Sequence, residues 1–98
     1  MFAVVGEWRA VAPATTAEQR ESLEGIVRGV AGLPKLVKGY WSSNEDGTRR
    51  HTFIVFEDRD AADAFAADVR GNTENQKRAG IELVSLATYE VTAQTAVV

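Results

Sequence analysis

The spacing of apolar residues changes several times along this chain, and each change marks a new element. Residues 2–11 are rich in β-formers without a helical period and predict a first strand. Pro13 should end this strand, because proline cannot donate a hydrogen bond to a strand ladder. Thr16 and Gln19 match a capping box, which is typical of a helix start. The predicted helix carries one apolar stripe at helical spacing, made of Leu23, Ile26, Val27 and Val30.

Glycines mark both the interior and the end of this helix. Gly25 and Gly29 lie four residues apart. Because glycine is costly inside a helix, their presence indicates close packing against a sheet. Gly32 and Pro34 should stop the helix, since a C-terminal glycine followed by proline is a common helix end.

A hairpin and a second helix follow. Residues 36–42 and 51–57 predict two strands, and residues 44–47 between them are a turn signal, so the pair should be antiparallel. Asp58 or Asp60 should cap the second helix. The buried side of that helix is predicted to carry Ala62, Phe65 and Val69.

The last part of the chain adds a helical turn and a strand. Gly71 breaks the second helix, and Thr73 with Gln76 repeats the capping-box pattern. Residues 73–79 should therefore form one more short turn of helix. Residues 81–91 predict a long fourth strand, and the segment after it has no period.

The resulting order of elements is βαββαβ. Right-handed crossovers then place both helices on one face of a four-stranded antiparallel sheet, which is the ferredoxin-like α+β plan. The length of 98 residues fits one such domain, and we expect it to span residues 1–98.

The predicted strands are apolar on both faces. Phe53 and Val55 point one way, whereas Ile54 and Phe56 point the other. In the fourth strand, one face is predicted to carry Ile81, Leu83 and Tyr89, and the opposite face Val84 and Leu86. A large exposed apolar patch usually marks an interface, and the simplest cover is a second copy of the chain. We therefore expect a homodimer, packed sheet against sheet around a two-fold axis.

Composition excludes several classes of protein and site. The chain is 45% apolar and 26% charged with a net charge of −3, which fits neither a disordered chain nor a membrane protein. It has no cysteine and one histidine, so disulfides, thiolate sites and multi-histidine zinc sites are excluded. Residues 1–6 lack the basic start of a signal peptide. We expect a cytoplasmic protein without a membrane partner, metal or cofactor.

The candidate site consists mainly of aromatic residues. Trp8, Trp41 and Tyr89 are predicted to hold a flat, apolar or aromatic ligand against their rings. His51 or Tyr40 is the candidate catalytic base that would accept a proton from it. Oxygenation without a cofactor would require such a base, because the substrate must be deprotonated and kept away from water.

Arginine supplies the charge that such a site needs. Arg9 or Arg50 would favour an anionic ligand, and we assign Arg50 to substrate binding. The competing interpretation is that the aromatic residues only pack the core and the dimer interface, which would make the protein a non-catalytic binding or structural dimer.

A second alternative is a nucleic-acid-binding module. Residues 49–56 partly resemble the third-strand motif of RNA-recognition motifs, which share the βαββαβ order. Arg49, Phe53 and Phe56 fit that pattern. His51 stands where the motif has an aromatic residue, which removes one stacking platform. The acidic balance of the chain also disfavours phosphate binding, so we expect no nucleic-acid partner.

Two segments carry a resemblance to one family. The βαββαβ order, residues 32–41 (GLPKLVKGYW) and the run FIVFED at 53–58 before an alanine-rich helix resemble the antibiotic-biosynthesis-monooxygenase-like family. The resemblance implies a dimeric α/β barrel. It also implies either oxygenation of aromatic polyketide-like substrates without a cofactor or haem degradation. Haem-degrading relatives carry their axial histidine on a helix, and His51 lies in a predicted strand, which argues against haem degradation.

Overall fold

The predicted order of elements is confirmed. The computed structural model describes residues 1–11 and 16–95, the side chain of Thr16 excepted. Its elements are β1 (Phe2–Ala10), α1 (Thr16–Ala31), β2 (Leu36–Ser43), β3 (Arg49–Phe56), α2 (Arg59–Arg70), α3 (Thr73–Arg78) and β4 (Ile81–Glu90). Pro13, predicted to end β1, and the Thr16 side chain, predicted to cap α1, lie outside the described residues. Within those residues, no helix is long and apolar enough to cross a membrane.

The four strands form one antiparallel sheet in the order β2-β3-β1-β4. This is the ferredoxin-like arrangement predicted from the sequence. We call the face that packs against the helices the inner face; β1 contributes Val4, Gly6 and Trp8 to it. The opposite, outer face carries the alternate residues of each strand, such as Val5 of β1 and Phe53 of β3, which lie opposite each other.

The core lies between the inner face and α2. Val4, Ile54 and Phe56 are almost completely buried and pack against Ala62 and Ala66 of α2. The small alanine side chains let the helix approach the sheet closely. The predicted buried side of α2 is confirmed for Ala62, whereas Phe65 and Val69 are half-buried. Of the two predicted caps, Asp58 caps the helix: its carboxylate accepts a hydrogen bond of 2.9 Å from the backbone N–H of Ala61.

Helix α1 does not pack closely on the sheet, which corrects a prediction. Its apolar stripe is largely unburied: Leu23 is 42% and Ile26 43% exposed, and only Val30 is buried. A Cβ atom placed on Gly25 or Gly29 would meet no atom within 4 Å. The two glycines therefore do not mediate a close helix–sheet contact, and a space remains between α1 and the inner face.

A β-bulge in β4 corrects the predicted faces of that strand. Gly6 pairs with Leu86 but Trp8 pairs with Leu83, so β4 holds one extra residue between these pairs. Residues that lie opposite each other share a face. Leu83 and Leu86 therefore both belong to the inner face, whereas strict alternation places them on opposite faces. Tyr89, which lies opposite Ala3, remains on the outer face.

Helix α3 begins differently from the predicted capping box. Its first residue is Thr73, and its N-cap is Asn72, whose side chain makes no capping hydrogen bond. Gln76 is turned inward instead and is buried. Its Nε2 donates a hydrogen bond of 2.7 Å to the carbonyl oxygen of Val69, which ties α3 to the end of α2.

An ion pair joins the start of β2 to the start of α2. Lys35 Nζ lies 2.5 Å from Asp58 Oδ2, and the backbone of Lys35 has a positive φ of 63°. The hydrogen bond between the two side chains raises the pKa of Lys35 and lowers the pKa of Asp58. The Asp58 carboxylate thus pairs with a lysine and also caps a helix. Both interactions favour the charged form of the carboxylate.

Candidate functional site

A cavity of about 900 Å³ lies between the inner face of the sheet and the helices. The cavity exists because α1 does not pack closely on the sheet. Helices α2 and α3 close the cavity on the side opposite α1. Ligand sites for small molecules usually measure roughly 300–1,000 Å³. This cavity is therefore large enough to hold a molecule of several fused rings.

The sheet forms the floor of the cavity with both tryptophans of the protein. Trp8 of β1 and Trp41 of β2 line it from the two strands that flank β3. Thr52 of β3 lies opposite Trp41 in the strand register. The indole Nε1 of Trp8 donates a hydrogen bond of 3.2 Å to the Thr52 hydroxyl. The polar atom of that indole is thus satisfied within the floor, and its ring remains available to an apolar ligand.

The other walls of the cavity are mainly apolar and come from the helices. Leu23 and Ile26 of α1 line one side, and Phe65 and Val69 of α2 line another. The phenyl ring of Phe65 also packs on Phe56 of the core, with 5.4 Å between ring centroids. These side chains offer apolar contacts to a ligand that rests on the indoles.

A few polar and charged groups interrupt the apolar lining. The charged members are Arg20, Arg50 and Asp68, so this lining has an excess of positive charge although the whole chain carries −3. Arg50 Nε donates a long hydrogen bond of 3.4 Å to the carbonyl oxygen of Gly47, at the β2–β3 turn. The described residues contain no cluster of three or more histidine, aspartate or glutamate side chains that could hold a metal ion.

The structure divides the predicted site residues between the two faces of the sheet. Trp8, Trp41 and Arg50 all line the cavity. His51, Tyr40 and Tyr89 do not, because they alternate with inner-face residues along their strands and lie on the outer face.

This division corrects the expectation that the proposed bases share a pocket with the tryptophans. His51 follows Arg50 directly and Tyr40 precedes Trp41, so each base points away from its cavity-lining neighbour. His51 Nε2 lies 3.9 Å from a carboxylate oxygen of Glu7 on the outer face. Neither His51 nor Tyr40 can reach a ligand that lies in the cavity.

The outer face exposes an apolar and aromatic surface. Tyr40 is 59% and Tyr89 58% exposed, and Phe53 and Val84 are exposed as well. Val55, near the centre of the sheet, is nevertheless buried on this face. At one end of the face, Arg9 forms an ion pair of 2.7 Å with Glu82, and their hydrogen bond raises the pKa of Arg9.

Several lining residues carry little or no signal in the sequence. Thr52 gives none of its own, since a threonine in a strand is ordinary. Gln76 fits a capping box in the sequence, yet it is buried at the cavity. One available signal is a repeated pattern, glycine two residues before tryptophan, at Gly6–Trp8 and Gly39–Trp41. Because strand residues two apart share a face, this pattern places each glycine beside the indole.

Solved structures resemble this chain over nearly its whole length, although no protein-family model and no curated protein match its sequence. A candidate antibiotic biosynthesis monooxygenase from Deinococcus radiodurans superposes with a TM-score of 0.71 at 13% identity, covering 100% of this chain and 99% of the other. SnoaB, a cofactor-independent oxygenase from Streptomyces nogalater, gives 0.69 at 16% identity, covering 95% and 94%. A dimeric ferredoxin-like protein of unknown function from Jannaschia sp. CCS1 gives 0.50 at 15% identity, covering 91% and 99%. The chain therefore has the fold of the antibiotic-biosynthesis-monooxygenase-like proteins, as its sequence resemblance indicated.

Proposed function

We propose that this protein binds a small, flat, apolar or aromatic molecule that carries an anionic group. The observation that carries the proposal is that Trp8, Trp41 and Arg50 line one cavity of about 900 Å³. Indole rings offer broad apolar faces to a flat ligand. A guanidinium group pairs with a carboxylate or an ionised hydroxyl, and its pairing is strongest where water is excluded.

The reaction that we propose for this cavity is oxygenation without a cofactor. Such chemistry needs an electron-rich, deprotonated substrate that is shielded from water. The apolar walls would provide the shielding, and Arg50 would favour the anionic form of the substrate. Among the described lining residues, Asp68 is the carboxylate that could accept a proton. The fold that the chain shares with SnoaB, a cofactor-independent oxygenase, supports this choice over other reactions.

Calorimetric titration with anthracene carboxylate tests the binding proposal. We expect a Kd on the order of a tenth of a millimolar, as about 0.3 kcal/mol per non-hydrogen atom gives for a molecule of this size. Arg50→Gln should weaken binding of the carboxylate about tenfold, because a charge-assisted hydrogen bond is lost. The neutral carboxamide should bind the variant and the wild type alike. No heat of binding with the wild-type protein would refute the proposal.

Oxygen uptake with anthrone separates an enzyme from a binding protein. Anthrone is flat and aromatic, and its ring methylene can lose a proton. We expect the wild type to accelerate oxygen consumption and Asp68→Asn to reduce that acceleration. Binding of anthracene carboxylate without any effect on oxygen uptake would leave the non-catalytic alternative in place.

We also propose that the protein acts as a homodimer that packs through the outer face, in the cytoplasm. The exposed side chains of Tyr40, Phe53 and Tyr89 form the kind of apolar surface that a partner covers. The dimeric ferredoxin-like protein from Jannaschia supports a pairing of this kind. Sedimentation velocity should show a dimer at micromolar concentration, and Phe53→Glu should convert it to a folded monomer. A wild-type monomer at that concentration would refute the dimer.

A further inference from the structure

The two tryptophans in the cavity floor both depend on a glycine two residues earlier in the same strand. A Cβ atom placed on Gly6 would lie 2.8 Å from the Trp8 indole nitrogen and 2.8 Å from the Thr52 hydroxyl oxygen. A Cβ atom on Gly39 would lie 3.0 Å from two carbons of the Trp41 ring, Cη2 and Cζ3. Each indole therefore occupies the space that a side chain at the preceding inner-face position would fill.

This arrangement sets how the rings lie on the sheet. Side chains in strands normally stand roughly perpendicular to the sheet. Here the indole of Trp8 reaches back to Gly6, and the outer edge of the Trp41 ring reaches back to Gly39, so both rings lie along their own strands. The floor is consequently low, and the height of the cavity above it is preserved.

Such close contact is not a general property of the glycines in the described residues. A Cβ atom placed on Gly25 in α1, by contrast, would meet no atom within 4 Å. Gly25 does not line the cavity either, so it offers a matched control for the same glycine-to-alanine change.

Thr52 completes the arrangement on the Trp8 side. Its hydroxyl accepts the indole hydrogen bond at 3.2 Å, and it lies within the same cluster that a Gly6 side chain would disturb. The hydrogen bond holds the indole nitrogen close to Gly6, which leaves the room in which the bond forms.

We propose that Gly6 and Gly39 are the specificity-determining residues of this cavity, because they hold the two indoles low enough to admit a fused-ring ligand. Thr52 acts with Gly6 as the positioning residue for Trp8. This inference rests on the proposed function, since it assumes that the cavity binds a flat molecule. A Cβ atom at either glycine would push an indole into the cavity and reduce its volume. The smaller cavity should exclude fused-ring ligands more strongly than ligands with a single ring.

The binding test compares Gly6→Ala and Gly39→Ala with the control Gly25→Ala, using two carboxylates of different width. Calorimetry should show that each cavity variant loses affinity for anthracene carboxylate by about tenfold, the scale expected when a packed site is overfilled. Affinity for benzoate should change by less than about threefold in the same variants. The control should bind both compounds as the wild type does.

A second test needs no ligand, because the chain has only two tryptophans and both line the cavity floor. In a Trp41→Phe background, all tryptophan emission comes from Trp8. Gly6→Ala and Thr52→Val should each shift that emission and increase its quenching by acrylamide, whereas Gly25→Ala should not. Thr52→Val adds no volume and keeps the test decisive if Gly6→Ala does not fold.

The outcomes separate this inference from the proposed function. If the wild type binds neither carboxylate, the proposed function fails, and the emission spectra alone decide whether Gly6 and Thr52 hold the Trp8 indole in place. If the wild type binds anthracene carboxylate but the folded Gly6→Ala and Gly39→Ala proteins bind it like the control, the glycines do not determine specificity. An equal loss of affinity for both carboxylates would also overturn the inference, since it would show general damage to the site.

Discussion

On the inner face of the sheet, the aromatic side chains of Trp8 and Trp41 are partly covered and lie along the strands, beside an arginine and under three helices. On the outer face, Tyr40 and Tyr89 are exposed, and the described helices lie on the other side of the sheet. Trp41 follows Tyr40 directly in the chain. The comparison shows that two aromatic residues adjacent in the chain can belong to different surfaces. Trp41 lines the cavity, whereas Tyr40 lies in an exposed apolar patch that a partner could cover.

The largest difference between the two faces should be the loss of stability when a phenylalanine of β3 is replaced by alanine, with Phe56 on the inner face and Phe53 on the outer face. Phe56→Ala should cost about 3–5 kcal/mol, because it empties a space in the core where Phe56 is only 1% exposed. Phe53→Ala should cost less in the isolated chain, and its effect should grow with protein concentration if the outer face is a dimer interface. Urea unfolding at two protein concentrations measures both. Equal, concentration-independent costs would remove the contrast between the faces.

The Trp8–Thr52 hydrogen bond in the cavity floor should contribute more to the stability of the fold than the His51–Glu7 contact on the outer face. Thr52→Val leaves the Trp8 indole without its acceptor and should cost about 1 kcal/mol, the lower part of the range for an unsatisfied polar group. His51→Ala removes only an exposed ring and a 3.9 Å contact, and should change stability by less than about 0.5 kcal/mol. The denaturant midpoints of the two variants measure these stability costs. A larger loss of stability in His51→Ala than in Thr52→Val would contradict the prediction.

Helix α1 offers a gain in stability of smaller size. Gly25→Ala should stabilise the protein by roughly 0.5–1 kcal/mol, because alanine restricts the unfolded chain and its Cβ meets nothing within 4 Å. Thermal unfolding should show a higher Tm. A lower Tm would indicate that α1 packs on another surface at this position, in the monomer or in the dimer.

The smallest expected effect concerns pH and the exposed pair outside the cavity. The pKa of Asp58 is lowered in the folded protein, so its stabilising effect is complete above its ordinary value of 3.8 and is lost as pH falls through the lowered folded value. The pKa of Lys35 is raised, so its effect is present at neutral pH and is lost only in strong base. Asp58→Asn should therefore flatten the acid limb of a Tm–pH curve. An unchanged curve would show that the pair adds nothing in solution.

Local signals in the sequence were enough to predict the elements of the fold. The turn at 44–47 and the start of α2 depend on residues close in the chain: the turn occurs as predicted, and Asp58 is the one of the two predicted caps that is used. Alternation also separated Phe53 from Ile54 correctly. These features follow from backbone preferences and side-chain periods that act over a few residues.

The candidate site was less accessible to prediction, because it depends on distances between elements. An apolar stripe on α1 indicates which side of the helix faces the protein, but not how far that side lies from the sheet. Composition identifies the aromatic residues but does not show which of them converge, and only alternation along β2 separates Trp41 from Tyr40. Gly6 and Gly39 carry no side chain, so their spacing from the tryptophans is the one signal that they give.

The bulge in β4 has a consequence for how this sequence can change. Its extra residue brings Leu83 and Leu86 to the same face although they lie three positions apart in the chain. Deleting Val84 would restore simple alternation and leave residues 81–83 on their present sides, with Leu83 still opposite Trp8 at the inner surface. Loss of Val84 should thus be tolerated about as well as its substitution, so this strand can change its length by one residue while its two inner leucines keep their places.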